Sequence, residues 1–256
     1  APTLAAMDDD GPRTLVLVGV TGEGKSCTGN TLCGQAAFKI SGGLASETSE
    51  SAHADYLRFN ENGVTEMRVV DTIGLHDTAL PAAEVMHRFT KFSDLVPTGI
   101  DAFLFVVRWG RFRPDHDAAV DAFVANCGAE ALAHTVLVFT ACTLSATELS
   151  DALEAHAPPS LRRLLPQLAC PPCAIENLSA EADARETLHA AVDGILAKAV
   201  GRYTNAALAD ARARYDARRE EERAAFASAV ADWRKGSGPV MIVREESAAA
   251  AIVNGE

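Results

Sequence analysis

"GVTGEGKSCTGNTLCG" (Gly19–Gly34) fits the pattern G-x-x-x-x-G-K-[ST], with Gly19, Gly24, Lys25 and Ser26 at the required places. The run before it, "TLVLVG" (Thr14–Gly19), is short, branched and apolar, as buried strands are. The segment after Lys25 can run as a helix to a stop at Gly34. Strand, glycine loop and helix in that order predict a phosphate cradle rather than an ordinary glycine-rich turn. The residue types suit that task. Gly22 and Gly24 let the backbone curl, so that N–H groups over Thr21, Gly22, Glu23, Gly24, Lys25, Ser26 and Cys27 can face phosphate oxygens at the positive end of a helix. Lys25 would then reach the β- and γ-phosphates, and the Ser26 hydroxyl would ligate Mg²⁺.

Beyond this stretch, apolar runs alternate with helical patterns. "YLRF" (Tyr56–Phe59) and "MRVV" (Met67–Val70) flank "NENG", a hairpin signal. "AFLFVV" (Ala102–Val107) and "TVLVF" (Thr135–Phe139) are runs of the kind buried on both faces, and "CAI" (Cys173–Ile175) is a shorter one. Helices are expected over Pro81–Leu95, Pro114–Asn126 and Thr147–Ala157. The alternation predicts an α/β fold: a three-layer sandwich on a mostly parallel sheet, with one antiparallel edge strand from the hairpin. From about Ala180 the chain turns to Ala, Arg and Glu, and two helices are expected, the second long (Tyr203–Lys235). Its centre, "ARREEERAAF", is charged all round, so it should be solvated, or pair with partners as a coiled coil does. "VMIV" (Val240–Val243) is apolar with no evident destination. The expected organisation is a nucleotide-binding domain over 12–200, the charged helix over 201–235 and a tail over 236–256.

A chain of 256 residues can bury a sizeable core. Its net charge of −12 argues against a reader of nucleic-acid backbones. No apolar run approaches the ~18 residues a membrane-spanning helix needs. The start, "APTLAAMDDD", is acidic and lacks an initiating Met, so a trimmed or processed chain is expected, and an anchor or tail beyond either end stays open. The six cysteines lie in apolar surroundings, as buried reduced thiols do, and the lone "CPPC" (Cys170–Cys173) has no second pair or His cluster to make a metal site.

A second nucleotide motif lies in "VVDTIG" (Val69–Gly74), an apolar strand ending in an acid. Asp71 stands where a Mg²⁺ partner is needed, and Gly74 can offer its N–H to a γ-phosphate. The polar loop "SGGLASETSES" between the two motifs holds several hydroxyls, among them Thr48, which could meet Mg²⁺ when a triphosphate is bound.

Taken with "RWGRFRPDHD" and "TVLVFT", these segments resemble the GIMAP and avrRpt2-induced GTPases and their relatives, the chloroplast Toc receptor GTPases. The resemblance covers about Leu15–Val200 with every motif in order, and the "TGN" after the phosphate loop is specific to it. It implies a Ras-like G domain with extra helices, GTP or GDP with Mg²⁺ as ligands, slow hydrolysis, and nucleotide-dependent dimers that meet across the nucleotide face. It also implies roles by position. Thr48 matches the switch threonine and Asp71 the magnesium-side acid. Arg111 of "GRF" matches an arginine that serves the neighbouring subunit as a finger in some members; the alternative is a surface arginine in a loop. Asn177 in "AIENLS" falls where the family places an Asn near the base.

Departures accompany the match. Ile73 replaces the proline of DTPG, and Leu75 stands where other GTPases carry a water-orienting Gln. More consequentially, Thr143 occupies the place of the acid that pairs with guanine, and the next carboxylate in the chain is Glu148. Two functions follow. The first is a GTP-binding switch with slow turnover, in which Lys25, Thr48 and Arg111 act on the transferred phosphate and copies of the chain or protein partners associate through the nucleotide face. The second is a structural subunit of a larger assembly that keeps the G fold while nucleotide turnover is relaxed or absent. Either places the chain inside the cell, in the cytoplasm or peripherally on an organelle membrane.

Overall fold

The computed structural model describes residues 11–40, 51–60, 63–72, 92–110, 114–178, 181–234, 241–242 and 251–252. The chain divides into two compact units, Ala1–Ala209 and Asp210–Glu256.

The first unit is built on a six-stranded sheet of order β2-β3-β1-β4-β5-β6. Its strands are β1 (Arg13–Val18), β2 (Ala52–Asn60), β3 (Gly63–Asp71), β4 (Ala102–Arg108), β5 (Thr135–Thr140) and β6 (Cys173–Ala174). β1 pairs in parallel with β3 and β4, and β4–β5 and β5–β6 are parallel too. Only β2 runs antiparallel, in a hairpin whose last pair is Asn60 with Gly63. That turn lies where "NENG" predicts it, and both strands run longer than their apolar centres suggest.

Strand geometry explains why these runs are apolar throughout. Side chains alternate across a strand, so Val16, Val18, Phe103, Phe105 and Val107 serve one face while Leu15, Leu17, Ala102, Leu104 and Val106 serve the other. The first face is covered by α2 (Pro114–Cys127), the turn Ala129–His134, α3 (Ala146–His156) and α4 (Pro159–Leu164), through Phe123, Leu132, Leu149 and Leu161. The second is covered by α1 (Lys25–Cys33) and α5 (Glu181–Leu196), through Leu32, Leu188, Val192 and Ile195. The expected three-layer α/β sandwich is the fold observed. α4 has no counterpart among the helices expected from sequence: six residues between prolines give too short a period to read. Of the helix expected over Pro81–Leu95, residues 92–95 are helical and 81–91 lie outside the described residues.

The last long helix, α6, spans Ala206–Arg234. It begins after Tyr203 because that residue is taken by the core. Tyr203 bridges to Ile100, stacks edge-on against Phe103 and donates its hydroxyl to the Cys127 carbonyl. Asn205 then caps the helix by accepting from Leu208 N–H at 3.0 Å. In the second unit the charged centre of α6, Glu220–Ala225, is exposed as its composition predicts, and "VMIV" contributes β7 (Met241–Ile242), paired antiparallel with β8 (Ala251–Ile252). Among the described residues no helix is long and apolar enough to cross a membrane.

Candidate nucleotide site

Because β1, β3, β4, β5 and β6 are parallel, Val18, Asp71, Arg108, Thr140 and Ala174 all end at one edge of the sheet. β1 has neighbours on both sides, and ligands of open α/β sheets sit at such a carboxyl edge. The loop Gly19–Gly24 leaves β1 here and enters α1, which starts without a side-chain cap. The first-turn N–H groups of a helix have no partner within it, so this end can receive an anion. Gly24 joins the helix at φ 101°, a left-handed value, with the Thr140 side chain 3.3 Å from where a Cβ would stand. A larger residue would be strained and crowded there.

The charged groups meet at the mouth of the loop. Lys25 Nζ donates to the carbonyls of Gly19 and Val20 at 2.9 and 3.1 Å. Burial lowers its pKa, while Asp71 and then Glu23 oppose that shift. Ser26 Oγ donates to Asp71 Oδ2 at 2.6 Å. Asp71 is 2% exposed, and its other oxygen, Oδ1, is buried without a hydrogen-bond partner. Burial raises its pKa, against the hydrogen bond from Ser26 and the charge of Lys25. A desolvated carboxylate with one unsatisfied oxygen beside a serine hydroxyl suits a hard cation that takes oxygen ligands. Phosphate and Mg²⁺ therefore fit the residues present. Cys27, next along α1, has its thiol pKa raised by burial and by Asp71, which keeps it protonated.

The "TGN" that follows the loop has a structural reason the sequence did not supply. Thr28, Gly29 and Asn30 lock the first turns of α1 onto the sheet and onto the chain beyond the helix. A Cβ on Gly29 would stand 2.8 Å from the Phe38 ring, so only glycine permits that approach. Asn30 brackets Phe38 with both ends of its amide, donating to the carbonyl at 2.9 Å and accepting from the N–H at 2.7 Å.

Two segments distant in the chain meet at this same sheet edge. Thr143 is exposed in the segment after β5, where Cys142 N–H donates to the Ile175 carbonyl at 3.1 Å. The Glu148 carboxylate accepts from the Ser145 N–H and hydroxyl, both at 2.8 Å, in the capping box of α3. Asn177 is brought to α1. Its amide donates to Thr28 Oγ1 at 3.2 Å, and its carbonyl accepts from Thr31 Oγ1 at 2.8 Å. The structure thus brings together Thr21, Gly22, Glu23, Gly24, Lys25, Ser26, Cys27 and Asp71, and it sets Asn177 against the same helix. Thr48, Gly74 and Arg111 lie outside the described residues.

The sequence model of the AIG1 family matches residues 13–222. The chain belongs to this family. Curated relatives include immune-associated nucleotide-binding protein 9 of Arabidopsis thaliana, 32% identical over 128 residues, which are 50% of this chain and 36% of that protein. The same plant's immune-associated nucleotide-binding protein 8 is 28% identical over 157 residues, covering 60% of this chain and 44% of the relative. The chain thus spans less than half the length of these relatives. Among solved structures, Toc33 from Arabidopsis thaliana in complex with Mg²⁺ and GMPPNP superposes with a TM-score of 0.51 at 20% identity, over 73% of this chain and 85% of that one. A structure from a study of dimerisation and GTPase activity in the chloroplast translocon components atToc33 and psToc159 superposes with a TM-score of 0.56 at 21% identity, over 75% and 86%. These likenesses establish a Toc33-like G-domain fold.

Proposed function

We propose that this AIG1-family chain binds guanine nucleotide with Mg²⁺ and acts as a slow GTPase switch that associates when triphosphate is bound. The observation that carries this is the Ser26–Asp71 pair, with the unsatisfied Asp71 Oδ1 beside it and an uncapped helix end above Lys25. Lys25 exchanges the Gly19 and Val20 carbonyls for phosphate oxygens, and the amides over Thr21–Cys27 hold the phosphate chain in line. Ser26, Asp71 and Thr48 would hold Mg²⁺, which would supply charge neutralisation at the phosphates. Arg111 acts on the neighbouring copy across the nucleotide face, and such a residue can supply ~10³-fold or more in rate. Toc33 structures holding GDP or GMPPNP with Mg²⁺, and a dimerisation-deficient Toc33, support the ligand and the association by analogy. The chain works inside the cell, in the cytoplasm or peripherally on an organelle membrane.

A second function rests on a separate observation. Thr143 gives the base end a neutral hydroxyl, and Glu148 is engaged by Ser145. A domain so equipped would hold nucleotide as a permanent ligand in a larger assembly, its exposed charged helix α6 docking on partners. Identifying the nucleotide released from purified protein by chromatography, with and without Mg²⁺, tests the binding. Turnover per subunit measured against protein concentration tests the switch: a rate that rises with concentration and falls in Arg111→Ala supports it, and a flat rate unchanged by that substitution favours the structural subunit.

A further inference from the structure

Glu23 is an unexpected side chain for a loop that meets anions. It sits between two glycines in the phosphate loop, yet it is a carboxylate only 4% exposed. A buried carboxylate is costly unless its oxygens are satisfied, and bound phosphate would add repulsion. Here the carboxylate meets groups from across the site. The Arg108 backbone N–H donates to Oε2, and His116 Nε2 lies 3.3 Å from Oε1 in a ring that is itself 1% exposed. The Glu23 carbonyl accepts from Thr140 Oγ1 at 2.7 Å. One loop residue is thereby fastened to the end of β4, to the end of β5 and to the first turn of α2. Trp109, next after Arg108, donates its own N–H to the Thr140 carbonyl at 2.9 Å, which closes the ring of contacts. Arg108 and His116 also bracket Arg111 in the sequence.

We propose that Glu23 is a positioning residue of the phosphate loop: its buried carboxylate fixes the curl of Gly22–Lys25 against Arg108 and His116, and nucleotide affinity depends on that fastening. Lys25 and the loop amides make the phosphate contacts, and Glu23 acts through them. The same fastening ties the loop to both flanks of the Arg111 segment, so a change at His116 is felt at the phosphates. This rests on the nucleotide-binding function proposed above.

Calorimetric titration of the whole chain with GTP and GDP tests it on wild type, Glu23→Ala, Glu23→Gln, His116→Ala and Lys25→Ala, with the thermal midpoint of each nucleotide-free protein read alongside. Glu23→Ala should weaken GTP binding roughly 10-fold or more, since it frees the loop and leaves the Arg108 N–H unpaired. Glu23→Gln keeps volume and an acceptor, so it should recover affinity to within about 3-fold of wild type. His116→Ala should weaken binding roughly 3- to 10-fold, and the double variant Glu23→Ala/His116→Ala should lose no more than Glu23→Ala alone, because both changes cut one contact. If Glu23→Ala does not fold, the glutamine and His116→Ala variants decide. A lowered midpoint with unchanged GTP affinity in Glu23→Ala or His116→Ala overturns the proposal, as does a Glu23→Gln protein that binds no better than Glu23→Ala. Wild type that binds no nucleotide, or Lys25→Ala that binds as tightly as wild type, overturns the nucleotide-binding function itself, and Glu23 falls with it.

Discussion

The two ends of the site are built in different ways. At the proposed phosphate end, loop, helix terminus and lysine are contiguous in the chain, and Asp71 joins them from the end of β3. At the proposed base end, the segment after β5 meets the segment after β6 only through the fold, by way of the Cys142–Ile175 hydrogen bond, and Asn177 is tied to α1 through Thr28 and Thr31. Phosphate is recognised by backbone amides and by charge, for which few residue types serve. A base is recognised by side-chain hydrogen bonds that substitution can retune. The proposed phosphate end should therefore tolerate less change at the loop than the proposed base end does at Thr143.

The largest expected effect tests the phosphate end. Lys25→Ala removes charge-assisted contacts to the phosphates and should cost about 3 kcal/mol, roughly 100-fold in nucleotide affinity by calorimetry. Equal binding by the variant would reverse the contrast between the two ends.

Next comes the base end. A threonine hydroxyl offers guanine one neutral hydrogen bond where an aspartate would accept two from N1–H and the exocyclic amine, so GTP should outcompete ATP only weakly. Thr143→Asp should raise that preference roughly 10- to 100-fold in competition binding. Strong discrimination by the unaltered protein would mean that another residue reads the base.

Asp71→Asn should have effects of opposite sign on binding and on folding. Mg²⁺-dependent nucleotide affinity should fall about tenfold, because a neutral amide replaces the cation's carboxylate. The nucleotide-free protein should melt higher. Asp71 has its pKa raised in the fold, so its contribution to stability is fully present below the unfolded-state value of 3.8 and is lost as pH rises through the folded value. At neutral pH the native carboxylate therefore destabilises the empty fold, and the amide removes that penalty. A midpoint that falls in the variant would show that the Ser26 hydrogen bond outweighs burial.

The smallest effect sharpens the assignment of Glu148. Ser145→Ala breaks the capping box of α3 and should cost about 1 kcal/mol of stability, read as a lower thermal midpoint. Base preference should stay the same. A shift in GTP-over-ATP preference would give the Ser145–Glu148 pair a part in base reading.

From the chain alone one can read the parallel sheet, the hairpin edge and the strand–glycine-loop–helix unit, because each is written in local periodicity or in a contiguous motif. Buried strands must be apolar on both faces, and a glycine loop must stand between strand and helix. The pairings across the fold were decided only by tertiary structure. Nothing in "GEGKS" shows that the Glu23 carboxylate meets Arg108 and His116, in "ACTLSATE" that Glu148 is held by Ser145, or in "AIENLS" that Asn177 bridges Thr28 and Thr31. Tyr203 likewise has a helical setting in sequence but is drawn into the core beside Ile100 and Phe103. Local propensity differs by tenths of a kcal/mol between neighbouring residues, whereas a buried ring or a satisfied carboxylate is worth more than that. Where the two compete, packing and buried hydrogen bonds set the outcome.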